Sequence, residues 1–235
     1  VRLTHYTNCI SAIPKILSNG FAWVPNRRCL IHLLVPGHDF SKREPQQFGM
    51  VSFTELAPKG AKKHCEVFGN YGITVSEAWA RLYKAQKVMY IDKTGPVIDA
   101  LAVIFQESYK DLATKVRFPD DAGWQMAYTN KVMASAVVGS SLWANLLQLY
   151  EYLEPIENAY QQEWRITQPL PLYSYADSKD AILKNVSPPR GWAQVCAVLP
   201  VQPGDILEFV CSTDDEQHLR SILPEGFSSK RIVTV

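Results

Sequence analysis

The chain has 235 residues, of which 47% are hydrophobic and 20% are charged, and this balance excludes a disordered or low-complexity protein. Its formal net charge of +1 excludes a strong overall attraction to nucleic acid or to an anionic membrane. Five cysteines without close pairs indicate a reducing environment, and we expect a cytoplasmic protein that has no membrane span.

The chain is expected to open with a strand, a helix and a long loop. Residues 1–6 alternate in the manner of a strand, and a helix capped by Asn8 or Ser11 is predicted to end at Gly20. Residues 22–47 show no sustained hydrophobic periodicity, which is typical of an irregular loop near a ligand site.

Three further strands are predicted where apolar runs lie between turn residues, at 50–54, 71–75 and 87–91. A Pro/Gly/Lys turn region is expected after the first of them, with the basic run Lys59–His64 as a solvated loop. Ser76 is expected to cap a helix that ends near Lys84. This half of the chain therefore supplies strands from well-separated segments.

The second half separates helices from strands. Helices are predicted over about 97–115 and 123–154, the second ending at Pro155. Short apolar strands follow between Pro, Gly and Asp loops, at 163–167, 193–199, 206–210 and 231–235. Strands at both ends of the chain predict an α+β fold with a mixed sheet, as a single domain 1–235 with a helical insertion at about 96–155.

Two segments combine groups that could carry chemistry. In a strand, Glu163 and Arg165 point to one face and Trp164 to the other, so the carboxylate could face a cleft. The alternative is a surface Glu beside an Arg on a solvated strand. His5-Tyr6-Thr7 offers an imidazole, an aromatic ring and a hydroxyl where a strand meets a helix.

Other classes of site receive no support from the sequence. There is no G-x-G-x-x-G or G-x-x-x-x-G-K-[ST], so neither a Rossmann nor a P-loop nucleotide site is encoded. Some cysteines and histidines could be drawn together as zinc ligands, namely Cys29, His32, His38, His64 and Cys65. Their spacing matches no tight ligand pattern, so we expect ordinary loop or core residues and no metal.

The motifs taken together resemble a bacterial phage-defence family. The pattern consists of His5-Tyr6-Thr7, Asn19-Gly20-Phe21, Ser52–Glu55, His64, Phe68–Ile73, Val88–Tyr90 and Glu163–Arg165. It resembles the AbiGi-type abortive-infection proteins, often described as antitoxins, over about residues 1–95 and 158–170. The layout is also similar to that of ADP-ribosyltransferases, including DarT-like toxins, in which an early strand, a central Ser/Thr strand and a late Glu strand meet around NAD.

The resemblance implies a split-sheet fold of the ADP-ribosyltransferase type, with NAD as the substrate. Breaking the nicotinamide–ribose bond builds oxocarbenium character on the sugar, and a carboxylate must orient the ribose and stabilise that charge. Glu163 is the implied catalytic residue. Gln161, two positions earlier, is implied on the acceptor side.

The resemblance also implies residues that contact NAD or hold the catalytic carboxylate. His5 or Thr7 would hold the adenosine-side ribose, and Tyr6 or Tyr71 would stack on nicotinamide. The strand residues Ser52 and Thr54 would brace Glu163 by hydrogen bonds.

Three functions follow as expectations. The first is transfer of ADP-ribose to an unknown protein or nucleic acid, in phage defence or as part of a toxin–antitoxin pair. The second is a non-catalytic antitoxin or regulator that binds a partner protein or nucleic acid. The third is an NAD hydrolase, in which water replaces the acceptor. The first is favoured if the fold brings His5, Tyr6, Ser52 and Glu163 to one cleft.

Overall fold

The computed structural model describes residues 1–25, 48–104, 149–169 and 198–235. Its strands are β1 Leu3–Thr7, β2 Val24–Pro25, β3 Phe48–Thr54, β4 Tyr71–Val75, β5 Gln86–Lys87, β6 Met89–Ile91, β7 Leu153–Pro155, β8 Glu163–Pro169, β9 Ile206–Cys211 and β10 Arg231–Thr234. Its α-helices are α1 Ala12–Asn19, α2 Lys62–Phe68, α3 Glu77–Leu82 and α4 Glu216–Ile222, with further helical backbone at 96–104. Outside these ranges lie most of the predicted loop 22–47, residues 105–115 and 123–148 of the two predicted helices, and nearly all of the predicted strand 193–199.

The predicted helix boundaries are confirmed where local signals are strong. The Ser76 hydroxyl accepts a hydrogen bond from the Trp79 backbone N–H at 3.2 Å and so caps α3. Gly20 ends α1 with φ of 87°, a backbone conformation that glycine adopts without a steric penalty. Ser11 occupies the N-cap position of α1 but makes no side-chain capping bond, contrary to the predicted role.

The described strands form one large mixed sheet and one small sheet. The large sheet runs in the order β10-β9-β4-β1-β3-β8-β5, with β2 also paired to β3. Its pairings are antiparallel except for the parallel pair β9–β10. Neighbouring strands come from distant parts of the chain, which confirms the predicted α+β class and the mixed sheet.

The sheet opens between β1 and β3. These two strands pair at a single position, Thr4 opposite Thr54, whereas β1 pairs with β4 along its whole length. Farther along β3, the edge that faces β1 pairs instead with β2, where Val24 lies opposite Met50. A gap is left between these two contacts, beside Ser52.

The two faces of the large sheet carry different packing. One face bears the main apolar core, in which Phe53, Ile73 and Phe209 pack against α1 and α3. The other face bears a smaller cluster in which Tyr6 packs against Cys65 of α2. Burial of the core is the main stabilising contribution, at about 25 cal/mol per Å² of apolar surface. Because Cys65 belongs to α2, this helix covers the second face of the sheet, beside the gap.

The sequence predictions for residues 87–91 and for the end of the helix 123–154 are wrong. The predicted helix 123–154 is not helical at its end, because residues 153–155 form β7, which pairs in parallel with β6. The predicted strand 87–91 is divided at the buried Val88, so that β5 joins the large sheet and β6 the small one. Pairing between segments, which no local pattern records, decides both outcomes.

The predicted solvated loop at Lys59–His64 is also wrong. The segment forms a 3₁₀ turn at Pro58–Gly60 followed by α2, and His64 is only 7% exposed. None of the described helices is long and apolar enough to cross a membrane.

Candidate functional site

A cavity of ≈ 260 Å³ lies where the large sheet opens between β1 and β3. The two strands, β8 and helix α2 supply most of its walls. The lining residues are Thr4, His5, Tyr6, Val24, Met50, Ser52, Phe53, His64, Phe68, Gln161, Glu163 and Arg165. The cavity thus joins both segments that the sequence singles out.

Glu163 and Arg165 form one wall of the cavity. They lie two positions apart on β8 and therefore on the same face of the strand, as predicted. The Arg165 Nε and Nη2 donate to the two Glu163 carboxylate oxygens at 2.9 and 3.0 Å. Glu163 is 6% exposed and Arg165 is 1% exposed, so the alternative of a solvated surface pair is wrong.

Arg165 is fully engaged by groups of the chain. Its Nη2 also donates to Glu154 at 2.6 Å, and its Nη1 donates to the backbone carbonyl of Glu151 at 2.7 Å. Burial disfavours the charge on Arg165, but the carboxylates of Glu163 and Glu154 outweigh it and raise the pKa. The guanidinium therefore fixes the Glu163 carboxylate and keeps no strong donor free for a ligand.

His5 fills the gap in the sheet. Its Nδ1 lies 2.8 Å from the Ser52 carbonyl oxygen, which can only accept, so Nδ1 carries the proton. The ring packs edge-on against Phe21 and Phe53, with centroids 5.1 and 5.8 Å away. Burial lowers the pKa of His5, against the opposing effect of the Ser52 hydrogen bond. The neutral ring thereby leaves Nε2 as an acceptor.

Tyr6 and His64 form a second polar wall. Each is 7% exposed, and both the Tyr6 hydroxyl and the His64 Nδ1 are buried without a hydrogen-bond partner. Their ring centroids are 5.2 Å apart, and the His64 ring packs on Phe68 at 4.4 Å. The Cys65 thiol lies near the Tyr6 hydroxyl but makes no bond of normal geometry with it, and thiols are weak acceptors.

The charge state of His64 follows from its surroundings. Burial lowers the pKa of His64 to about 4, although the nearby Glu163 carboxylate acts in the opposite direction. Burial also raises the pKa of Tyr6, so its hydroxyl keeps its proton. Buried polar atoms without partners are uncommon in proteins, and two residues that line one cavity and carry such atoms indicate a place for a ligand.

The cavity brings together five of the eight residues predicted for the site, namely His5, Tyr6, Ser52, Gln161 and Glu163. Gln161 ends the 3₁₀ helix Ile156–Gln161 and is 2% exposed. That helix is held near α2 by the Lys63 ammonium, which lies 3.9 Å from the centre of the Tyr160 ring.

The other three predicted residues do not line this cavity. The Thr7 hydroxyl accepts from the Cys9 backbone N–H at 3.3 Å, and the Tyr71 hydroxyl donates to Asp215 at 2.8 Å. The expected bracing of Glu163 is also absent, because the Thr54 hydroxyl donates to the Gln161 carbonyl at 2.6 Å. Ser52 lines the cavity, but its hydroxyl donates to the Met50 sulfur.

Sequence reasoning missed His64 and Arg165 as site residues. Ala61, Cys65 and Phe68 have the spacing of one face of a helix. This pattern could have predicted that His64 lies on a helix beside a buried face. Arg165 was assigned to the correct face, but nothing in the local sequence indicates its partner Glu154.

No group of three or more His, Cys, Asp or Glu residues is arranged to hold a metal ion in the described ranges. Of the set considered for zinc, Cys29, His32 and His38 lie outside those ranges. Comparison of the chain with family models, curated proteins and solved structures found no match. The functional proposal therefore rests on the cavity and on the motifs.

Proposed function

We propose that the protein is an NAD-dependent ADP-ribosyltransferase-like enzyme that cleaves the nicotinamide–ribose bond and transfers ADP-ribose to a macromolecule. One observation supports this proposal most strongly: His5, Tyr6, Ser52 and Glu163 line one cavity at the opening of the sheet. These residues lie on three strands from distant parts of the chain, β1, β3 and β8, and belong to the motifs that carry the resemblance. The proposed setting in bacterial phage defence or a toxin–antitoxin pair rests on the motif resemblance.

In the proposed chemistry, Glu163 stabilises the positive charge that develops on the ribose. When the bond from ribose C1′ to the nicotinamide nitrogen breaks, its electron pair leaves with nicotinamide and the sugar becomes oxocarbenium-like. A fixed carboxylate beside the sugar stabilises that charge. Each Glu163 oxygen accepts one bond from Arg165 and retains a second lone pair for a ribose hydroxyl. The acceptor then bonds to C1′ and loses its proton to solvent water, while nicotinamide leaves as a neutral molecule.

The size and charge of the cavity favour the nicotinamide end of the substrate. A cavity of ≈ 260 Å³ is slightly smaller than the roughly 300–1,000 Å³ of pockets that enclose drug-sized ligands. Arg165 is the one cation among its lining residues that the structure describes, and its strong donors are already engaged. The nicotinamide ring is a pyridinium cation while it is bonded to the ribose, so the ring and the ribose are suited to a cavity lined by the Glu163 carboxylate, and the diphosphate belongs outside it.

The decisive experiment compares Glu163→Gln with Glu154→Gln. Both changes replace a buried carboxylate that binds Arg165 by an amide of similar shape, but Glu154 is not among the cavity-lining residues. Nicotinamide release from NAD is measured for the wild type and both variants, per folded protein as judged by circular dichroism. We expect Glu163→Gln to lose activity by about 100-fold or more, and Glu154→Gln to retain most of it.

Product analysis completes this test. NAD labelled in the adenosine part should yield a labelled macromolecule in cell extract, whereas free ADP-ribose as the main product would indicate the hydrolase. A wild-type protein that releases no nicotinamide and labels no acceptor would contradict the proposal, as would equal losses in the two variants.

The geometry of Glu163 also favours one alternative, a non-catalytic protein that binds a partner. Both Glu163 oxygens accept from Arg165, and this pair, together with Glu154, forms a buried ionic network that could serve structure alone. Under this alternative, Glu163→Gln retains phage protection in cells. Loss of protection together with loss of NAD cleavage would favour the enzyme.

A further inference from the structure

Two residues that line the cavity carry polar atoms that the proposed chemistry does not use. Tyr6 and His64 line the same cavity, and the Tyr6 hydroxyl and the His64 Nδ1 are buried and have no hydrogen-bond partner. Each belongs to a side chain that is only 7% exposed. Because water reaches such atoms poorly, leaving them unpaired costs free energy that a ligand can recover.

The surroundings of these atoms define the kind of ligand group that fits. Tyr6, His64 and Phe68 pack against one another through their rings, and Phe53 also lines the cavity. Aromatic rings in contact favour a planar, apolar body between or beside them. The polar part of the ligand must then lie at the Tyr6 hydroxyl and the His64 nitrogen.

We propose that Tyr6 and His64 form a neutral hydrogen-bonding pair that recognises the carboxamide on a planar ring such as nicotinamide, a role that rests on the proposed function. A carboxamide offers both a donor and an acceptor. The Tyr6 hydroxyl can donate or accept, and the His64 Nδ1 does either according to its tautomer. A carboxamide therefore satisfies both atoms whichever tautomer is present.

The same pair disfavours a carboxylate. An anionic group offers acceptors only, so it would use the Tyr6 hydroxyl but would pair with His64 in one tautomer alone. Its negative charge would also enter a cavity that already contains the Glu163 carboxylate. Since Arg165 is engaged by Glu163 and Glu154, no free cation on the described lining residues offsets that charge. The site should thus distinguish nicotinamide from nicotinate.

The experiment measures binding of nicotinamide and of nicotinate to the full chain at pH 7.5 by ligand-observed NMR titration. Nicotinate is anionic at this pH, and neither probe is consumed. We expect the wild type to prefer nicotinamide by about tenfold or more, the ratio that one or two well-made hydrogen bonds provide.

Four variants identify the groups responsible. Tyr6→Phe and His64→Phe remove the polar atoms but keep the rings, and each should reduce the preference to about threefold or less, as expected when one hydrogen bond is lost. His64→Asn keeps an amide near the Nδ1 position and should restore part of the preference. Tyr71→Phe is the matched control, because its hydroxyl binds Asp215 outside the cavity and its loss should change nothing. Thermal melting confirms that each variant is folded.

The outcomes separate this inference from the proposed function. An unchanged preference in both Tyr6→Phe and His64→Phe, equal binding of the two probes to the wild type, or no binding of nicotinamide overturns the inference. If NAD is cleaved but that preference is absent, only the inference fails. If the preference is present but NAD is not cleaved, only the proposed enzymatic activity fails.

Discussion

At the scale of single residues, the cavity depends on groups whose charge is set by burial. His5 and His64 both have lowered pKa values because burial disfavours the imidazolium form, and both line the cavity. The neutral state of His64 is maintained even though the Glu163 carboxylate favours its protonation. Protonating these rings should therefore act against the folded state.

The charge of His64 predicts a pH dependence of stability. Its pKa is about 4 in the folded chain, below the ordinary value of 6.5, so the unfolded chain binds more protons between these values. Stability should fall as the pH is lowered from about 6.5 towards 4. Urea unfolding at pH 7.5 and 5.5 measures this loss, which should be smaller in His64→Phe.

Two comparisons keep this prediction specific. The carboxyl groups with resolved shifts, such as Glu77 and Asp215, have lowered pKa values and stay ionised within this pH range. His218→Gln removes an exposed histidine on α4 and is the control for replacing a histidine that does not line the cavity. A pH dependence in His64→Phe as steep as that of the wild type would contradict the assignment.

At the scale of elements, helix α2 is positioned by the turn that follows it. Gly69 joins α2 to β4 with φ of 102°, and a Cβ there would lie 2.3 Å from the Cα of Asn8 and from the carbonyl oxygen of Thr7. The absence of a side chain lets α2 approach the end of β1. This contact places His64 over the cavity.

Gly69→Ala should therefore destabilise the protein by about 2–4 kcal/mol, from left-handed strain and steric overlap together. Gly60→Ala is the matched control, since an added Cβ would meet nothing within 4 Å and the change should stay within about 0.5 kcal/mol. Chemical denaturation of both variants measures the difference. Equal stability of the two would show that the close approach of α2 and β1 is not required.

At the scale of the whole molecule, the ionic network joins the two sheets. Arg165 of β8, in the large sheet, binds Glu154 of β7, in the small sheet, as well as the Glu151 backbone. The Glu163 backbone N–H donates to the Tyr90 hydroxyl of β6 at 2.7 Å. The carboxylate in the cavity is thus held by contacts that also fix the relative position of the sheets.

Arg165→Met should destabilise the protein by about 3–5 kcal/mol, because it leaves two buried carboxylates without their cation. Arg81→Met removes an exposed arginine that pairs with Glu77 on the same helix, and this control should lose at most about 0.5 kcal/mol. Equilibrium urea unfolding at pH 7.5 compares the two. If Arg165→Met were as mild as Arg81→Met, the network would not be a structural link.

The local sequence determined those features of the protein that depend on neighbouring residues. Alternation and capping were enough to place β4, α3 and the end of α1, and to put Glu163 and Arg165 on one face of a strand. Only the tertiary structure decided that residues 153–155 form a strand, that His64 enters the cavity, and that Arg165 binds Glu154. Those outcomes depend on pairing and burial between distant segments, whose free energy no local pattern contains. The meeting of His5 with Glu163 across the opened sheet belongs to this second group.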